Sequence, residues 1–219
     1  MRNFKTAIIV ISSVLILSVL YFFLPTEKIL QRLPFISEIY NNTSLTISSK
    51  KGKAEVKINN KNYGETPVSI DNLPEGSYTV ELNKISAEEN FYETSSFQVE
   101  LFRNTESLIE IEIAPKGLQS GYVMYYTKSP GTTKEKGHIT LAASPSISNI
   151  YLDDEFFSSN PANAVELKTR EYQIRVSADG YEEIRFPVII REGYNLNIRS
   201  YLLPIPITME QADTKETDD

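Results

Sequence analysis

The 219-residue chain contains no cysteine and only one histidine, His138. Without thiols it has no disulfide bonds, no cysteine nucleophile and no lipid-modified cysteine that could anchor it to a membrane. A lone histidine cannot hold zinc without cysteine or carboxylate ligands at a suitable spacing, and the sequence offers none. We therefore expect His138 to be solvated or hydrogen-bonded. Because the chain also lacks a Gly-x-Ser-x-Gly elbow and a phosphate-binding glycine loop, we expect neither an enzyme nor a cofactor.

Positive charge is also scarce, with 22 Lys and Arg against 29 Asp and Glu and a net charge of −7. No basic stripe interrupts this balance. An acidic surface repels phosphate backbones, so we expect no nucleic-acid partner. Residues 208–219 are acidic, and from Glu210 onward they include no large apolar side chain. We expect a disordered acidic tail there, because the segment cannot bury enough apolar surface to order itself.

One long hydrophobic run occurs, at residues 7–24, and none of its residues is charged. As a helix it would be about 27 Å long, close to the roughly 30 Å of a bilayer core. The alternative is a cleavable signal peptide, whose apolar region is normally shorter and ends at a small-x-small cleavage site that this sequence lacks. We therefore predict a retained transmembrane helix at residues 7–24 that anchors the protein in the cell membrane.

The charges that flank this run favour one orientation. Arg2, Lys5 and the α-amine precede it, whereas Glu27 offsets part of the positive charge that follows. The positive-inside rule then predicts that residues 1–6 are cytoplasmic and that the body is extracytoplasmic. Residues 25–43 are predicted to form a stalk or juxtamembrane segment, in which apolar residues recur at helical spacing and Pro34 interrupts the helix.

From Leu45 onward, apolar and polar residues alternate, as in Tyr78-Thr-Val80-Glu-Leu82. This period of two is typical of strands that bury one face, and Gly, Pro, Asn and Asp separate the successive runs. No amphipathic helix of comparable length appears. The body is therefore predicted to be all-β.

The body also repeats. A shift of 94 residues aligns apolar and proline positions of a first copy with a second, as far as Leu82 and Val176. After an insertion in the first copy, a shift of 90 aligns Val99 with Ile189 and Leu108 with Ile198. We predict two tandem small β-sandwich domains, immunoglobulin-like or prealbumin-like, at residues 44–114 and 138–207.

Residues 115–137 form the predicted linker between the two domains. The linker contains an apolar run, Tyr122–Tyr126, followed by a polar stretch rich in turn-forming residues. Five apolar residues are unusual in a flexible connection, so we expect the run to be packed as an extra strand. It would either pair with residues 138–143 or seal the junction between the domains.

The order of the turn motifs, seen twice, resembles the PEGA domain, a β-rich module of bacterial and archaeal surface proteins. The first unit matches its pattern at Ser49, Ala54, Val56, Gly64, Thr66, Pro67, Leu73, Pro74, Gly76 and Tyr78. The second unit matches at Ser144, Pro145, Ile150, Asp153, Pro161, Leu167, Tyr172, Gly180 and Tyr181. Both units depart from the tetrapeptide that names the family. The resemblance implies a place at the cell surface, and it brings no ligand and no catalytic residue.

Three candidate features remain. The carboxylate cluster Asp153-Asp154-Glu155 lies where Asn59-Asn60 lies in the first unit, and these residue types form turns, so we expect a turn and no metal. Asn41 and Asn42 begin glycosylation triplets, which matter only in a host that modifies them. Most of the 13 tyrosines and 10 phenylalanines lie on apolar strand faces or in the Tyr122–Tyr126 run. We expect core packing for them.

These observations predict a membrane-anchored, non-enzymatic cell-envelope module that binds or scaffolds wall polymer or surface proteins. Two similar units could engage a repeating neutral cell-wall glycan at two points, with exposed tyrosines and turn carboxylates supplying the contacts. The alternative is a sensory or assembly subunit whose β-domains bind a protein partner inside the cell.

Overall fold

A computed structural model describes residues 43–87, 91–129 and 131–206. The predicted transmembrane helix at residues 7–24, nearly all of the predicted stalk and the acidic tail lie outside these ranges. Among the residues that are described, no helix is long and apolar enough to cross a bilayer.

The described residues form fifteen β-strands, which confirms the all-β prediction. Their bounds are β1 Thr43–Ser48, β2 Ala54–Ile58, β3 Lys61–Glu65, β4 Val68–Asp71, β5 Gly76–Lys84, β6 Ser95–Leu101, β7 Thr105–Ile113, β8 Gln119–Lys128, β9 Lys136–Ser144, β10 Asn149–Leu152, β11 Glu155–Ser159, β12 Ala162–Lys168, β13 Glu171–Ser177, β14 Ile184–Ile189 and β15 Tyr194–Tyr201.

Seven strands belong to each of two units, and β8 lies between the units. In the first unit a four-stranded sheet, β3-β2-β5-β6, packs on the strands β4-β1-β7. In the second unit the sheet β11-β10-β13-β14 packs in the same way on β12-β9-β15. The first and last strands of each unit, β1 with β7 and β9 with β15, pair in parallel. Two tandem β-sandwiches are therefore present, as predicted.

The strand registers correct the repeat alignment after the insertion. Val80 opposes Phe97 in the first unit, and the matching Ile174 opposes Phe186 in the second. Phe97 therefore corresponds to Phe186, which is a shift of 89 residues rather than 90.

The predicted matches in this region are consequently wrong by one residue. Val99 corresponds to Val188 rather than to Ile189, because each of the two valines opposes the tyrosine near the start of the preceding strand. The predicted match of Leu108 with Ile198 is also wrong by one residue. A slip of one residue moves every side chain of a strand to its other face, so the two alignments give opposite exposure for these positions.

The predicted extra strand is β8, and it is the middle strand of a sheet shared by both units. It pairs antiparallel with β7 on one side and with β15 on the other. The two three-stranded sheets thus become one seven-stranded sheet in the order β12-β9-β15-β8-β7-β1-β4. Of the two arrangements expected, β8 seals the junction, and it does not pair with β9 because β15 lies between them.

Both faces of β8 are buried. Tyr122, Met124 and Tyr126 pack in the core of the second unit, whereas Val123 packs in the core of the first. Because successive side chains of a strand point to opposite faces, the two four-stranded sheets must cover opposite faces of the shared sheet. Burial on both faces explains why this run is apolar throughout instead of alternating.

The two units are related by an approximate half-turn about an axis along β8. Strands β1, β7, β15 and β9 run in one direction, their order is mirrored across β8, and the cores lie on opposite faces. A rotation about the strand direction reproduces all three features. It keeps equivalent turns at the same end of the molecule while equivalent sheet faces point in opposite directions.

This arrangement gives the molecule two distinct ends. At the proximal end Thr43 begins β1, and the turns at residues 59–60, 102–104, 153–154 and 191–193 lie beside it. At the distal end Pro206 ends the described chain, near the loops at residues 49–53, 114–118, 145–148 and 178–183. The chain therefore enters the described fold at the proximal end, at Thr43, and Pro206 lies at the distal end.

Turn chemistry follows the sequence closely. Asn59 and Asn60 have φ values of 48° and 65°, and Asp153 and Asp154 have 52° and 65°. Two consecutive left-handed residues are the requirement of a tight two-residue hairpin turn. Gly180, one of the residues that match the PEGA pattern, has a φ of 80°, a conformation that residues with a Cβ avoid.

Candidate functional site

A groove of about 210 Å³ lies at the proximal end, where β7 and β8 meet the edge strand β14 of the second unit. We call it the junction groove, because residues of both units line it. Its lining is Glu106, Leu108, Met124, Tyr126, Glu171, Pro187, Val188, Ile189 and Arg191. The floor is apolar and the charged residues lie at the rim, which makes the groove the candidate binding site of the fold.

Leu108 and Ile189 give the groove its apolar character. Leu108 points away from the core of its own unit and packs, half-buried, against the core of the second. Ile189 lies on the outward side of β14 and is 49% exposed. A period-two strand normally places polar residues at such positions. Neither residue was predicted to line a site, although the consecutive apolar residues at Leu108-Ile109 and Val188-Ile189 are a visible break in the alternation.

Tyr126 of β8 connects the two sides of the groove by a hydrogen bond to β14. Its hydroxyl donates a hydrogen bond of 2.6 Å to the carbonyl oxygen of Ile189. Burial raises the pKa of Tyr126, and the nearby Glu106 raises it further, while Arg191 opposes both. The phenol therefore stays protonated at neutral pH and keeps its hydrogen bond to β14.

Arg191 bridges the two units at the rim of the groove. Its guanidinium donates a hydrogen bond of 2.9 Å to the carbonyl oxygen of Asn104, in the turn before β7. The same guanidinium lies 4.9 Å from the ring centroid of Tyr126, at cation–π distance. Glu106 and Glu171 supply carboxylates elsewhere along the lining. The rim thus carries both signs of charge around an apolar floor.

The size of the groove suits the binding of side chains. Sites for cofactors and small molecules usually enclose about 300–1,000 Å³, more than this groove offers. Its volume corresponds to about seven water molecules at roughly 30 Å³ each, which is room for about one or two large side chains. In the ranges that the structure covers, no group of three or more His, Cys, Asp or Glu residues could hold a metal ion.

The carboxylates considered as a metal candidate are engaged in the turn itself. Asp153 accepts a hydrogen bond of 2.9 Å from the backbone amide of Gln173 and lies 2.7 Å from Arg170. The amide hydrogen bond, and then the contact with Arg170, lower the pKa of Asp153. Asp154 accepts hydrogen bonds from Arg175 and Arg185. These contacts fit the turn that the sequence predicted at this position.

His138 and the tyrosines have structural partners. The imidazole Nδ1 of His138 lies 3.0 Å from Ser129 Oγ, so this histidine is hydrogen-bonded. Tyr122 stacks on Phe186 with ring centroids 4.1 Å apart. Burial, and secondarily Glu110, raises the pKa of Tyr122 to about 12.

Every tyrosine in the described ranges is buried or half-buried. The prediction of core packing is confirmed for all of them except Tyr151, whereas among the phenylalanines Phe91 and Phe156 are exposed. Tyr151 is the exception because it lies on the outer face of β10, between the buried Ile150 and Leu152, with the Arg175 guanidinium 3.6 Å from its ring centroid. That exposed tyrosines supply binding contacts stays a prediction.

Comparison with known protein families matches this chain to the PEGA domain over residues 42–116 and 136–204. The chain belongs to the PEGA domain family. Each matched stretch contains one complete seven-stranded unit, so the tandem pair expected from the turn motifs is confirmed. Strand β8 lies between the two matches, and the strand that joins the two PEGA domains is therefore outside both copies of the family pattern.

Among solved structures, the PEGA chain is similar to the Bacillus anthracis TIE protein, with 15% sequence identity and a TM-score of 0.26. The similarity covers 73% of this chain and 34% of that chain, so this chain spans about a third of the other's length. No protein in the curated set matches it.

Proposed function

We propose that this PEGA protein is a membrane-anchored, non-enzymatic module of the cell envelope that scaffolds surface proteins or wall polymer. One observation carries the proposal. The two PEGA domains share the sheet around β8, whose side chains lie in both hydrophobic cores, so their relative orientation is fixed by packing. Two domains whose relative orientation is fixed in this way are suited to holding their bound partners in a fixed orientation to each other.

The half-turn between the domains favours a scaffold over two-point capture of one polymer. Equivalent faces of the two four-stranded sheets point in opposite directions, so they could hold two partners on opposite sides. A single linear glycan would meet two different surfaces, and avidity needs two matched sites that can be engaged together.

The sequence supplies the membrane part of the proposal. The uncharged run at residues 7–24 is long enough to span a bilayer, and the residues after it lead to Thr43 at the proximal end. In this reading the proximal end faces the membrane outside the cytoplasm, and the distal end, with the acidic residues that follow Pro206, points away from it.

A second candidate is a sensory or assembly subunit that binds a protein partner inside the cell. The observation in its favour is the distribution of exposed apolar side chains. Five of the seven large hydrophobic residues that are exposed in the described ranges lie at the distal end: Ile85, Phe91, Leu118, Ile147 and Ile205. Exposed apolar residues that gather at one end of a molecule are typical of a contact with another protein.

The side of the membrane separates the two candidates. Because the chain has no cysteine, Ile147→Cys would introduce a unique thiol at an exposed distal position. We expect a membrane-impermeant maleimide to label this variant in intact spheroplasts as fully as after lysis. Labelling only after lysis would place the body in the cytoplasm and favour the second candidate. The matched variant Phe156→Cys, at an exposed position of the proximal end outside the junction groove, tests whether the result depends on the position of the probe.

The scaffolding function is tested by measuring which surface proteins or wall polymers bind to the full chain. We expect cross-linking in intact cells to recover surface proteins, or purified neutral wall glycan to co-sediment with the protein. The variant Gly121→Ala, which is expected to loosen the shared sheet, should lower this retention. Retention that is unaffected by loosening the sheet would argue against a function that depends on fixed geometry.

A further inference from the structure

The junction groove is an apolar site on the outside of the fold, and its position indicates what occupies it. Ile189 presents an apolar side chain outward, 49% exposed, and Leu108 beside it is only partly buried against the core of the second domain. The groove has room for about one or two large side chains, so a short segment fits it better than a folded partner does.

The chain enters the fold directly beside this groove. Thr43 pairs with Thr105, and Ser44 pairs with Glu106, which belongs to the groove lining. Leu108 lies two residues further along β7, about 7 Å away at roughly 3.3 Å per residue. Arg191 contacts Asn104, the residue before Thr105, so the rim on the side of the second unit is also close to Thr43.

The residues that precede Thr43 have the composition to fill an apolar groove. Residues 26–42 read TEKILQRLPFISEIYNN and include seven large apolar or aromatic side chains among seventeen residues. A stretch of about six extended residues reaches roughly 20 Å, which is ample to turn back from Thr43 to the groove. The segment carries both signs of charge, as the groove rim does, through Lys28, Arg32, Glu27 and Glu38.

We infer that residues 26–42 of this chain dock apolar side chains into the junction groove and so hold the segment before β1 against both PEGA domains. The groove then has an occupant supplied by the same chain, and the exposed side chain of Ile189 has an apolar partner. This inference does not require residues 7–24 to span a membrane, so it stands or falls separately from the proposed function.

Cysteine pairs in the full-length chain test this placement, because the natural sequence has no thiol to interfere. One cysteine replaces Ile189, and the second replaces Leu33, Ile36 or Ile39 in turn. The matched control combines the same second cysteine with Ile147→Cys, which is 67% exposed at the distal end. We expect a short bismaleimide to link at least one Ile189 pair within a single chain, several-fold more than its Ile147 control.

The other outcomes overturn the inference. Linking at the level of the Ile147 control would show that the segment does not occupy the groove. Products of twice the chain mass that disappear on dilution would show that a second copy's segment fills it instead.

A measurement without cysteines gives an independent reading. We expect trypsin to cleave after Arg32 about tenfold faster in Ile189→Glu than in the natural chain, because a charge in the groove weakens apolar docking by at least that factor. Ile147→Glu should leave the cleavage rate unchanged, and circular dichroism should show that both variants remain folded. Equal cleavage rates in all three proteins would contradict the docking.

Discussion

Gly121 lies in β8 opposite Ile111 of β7, and adding a side chain there should loosen both PEGA domains at once. Its φ is +129°, a conformation that costs residues with a Cβ about 1–3 kcal/mol. A Cβ at this position would lie 1.9 Å from the carbonyl oxygen of Glu110. That oxygen belongs to the backbone and cannot swing aside, so β7 and β8 must separate, at a further cost of about 1–3 kcal/mol. We expect Gly121→Ala to lower the free energy of unfolding by about 2–6 kcal/mol.

Urea unfolding of residues 43–206, followed by circular dichroism and tyrosine fluorescence, measures this loss. With a urea m-value of about 2 kcal/mol/M, the midpoint should fall by about 1–3 M. Gly64→Ala is the matched control. The φ of Gly64 is +99°, but no atom lies within 4 Å of an added Cβ, so this variant reports backbone strain without the clash.

Two results would refute the reasoning. Equal midpoints for Gly121→Ala and Gly64→Ala would mean that the close approach of Glu110 to β8 costs nothing. Two separate unfolding transitions, of which Gly121→Ala shifts only one, would contradict the conclusion that both cores depend on β8.

Four further predictions follow from the sequence and the fold. The full chain should stay in the membrane pellet after an alkaline carbonate wash, because a spanning helix at residues 7–24 is not released by breaking surface contacts; a mature N-terminus near residue 27 would contradict this. Gly76→Val should lower the unfolding free energy by about 1–3 kcal/mol through strain at a φ of +151°, and an unchanged urea midpoint would exclude that turn conformation. Stability should fall as pH rises from about 10 towards 12, since the unfolded state then loses the proton that folded Tyr122 retains; Tyr122→Phe should flatten the fall measured by urea unfolding at each pH. Lys84→Met should cost about 3 kcal/mol, because the Lys84 ammonium lies 2.8 Å from Glu112 in a pair only 10% and 12% exposed, and adding Glu112→Met should recover much of the loss.

The local features of the fold could be predicted from the sequence because short-range patterns determine them. Alternation such as Tyr78-Thr-Val80 gives a strand and its inward face. The pairs Asn59-Asn60 and Asp153-Asp154 give tight turns, since both residue types tolerate left-handed backbone.

The junction could not be predicted, because it depends on contacts between distant parts of the chain. The run Tyr122–Tyr126 indicates a strand buried on both faces, but nothing local shows that its neighbours are β7 and β15. The groove was not predicted because the alignment of the two units was wrong by one residue in this region. Aligning Val99 with Ile189 made an outward isoleucine look like a core residue, and the true partner, Val188, stands next to it.

The shared sheet has a mechanical consequence. If the chain is held at Thr43 and loaded beyond Pro206, the tension pulls β1 and β15 in opposite directions along their own axes. The hydrogen bonds from β1 through β7 and β8 to β15 lie across that direction, so a rising force must shear whole ladders together instead of opening them one bond at a time. We expect the tandem to behave as a stiff link that carries force without lengthening, until it gives way in a single event that takes both domains with it.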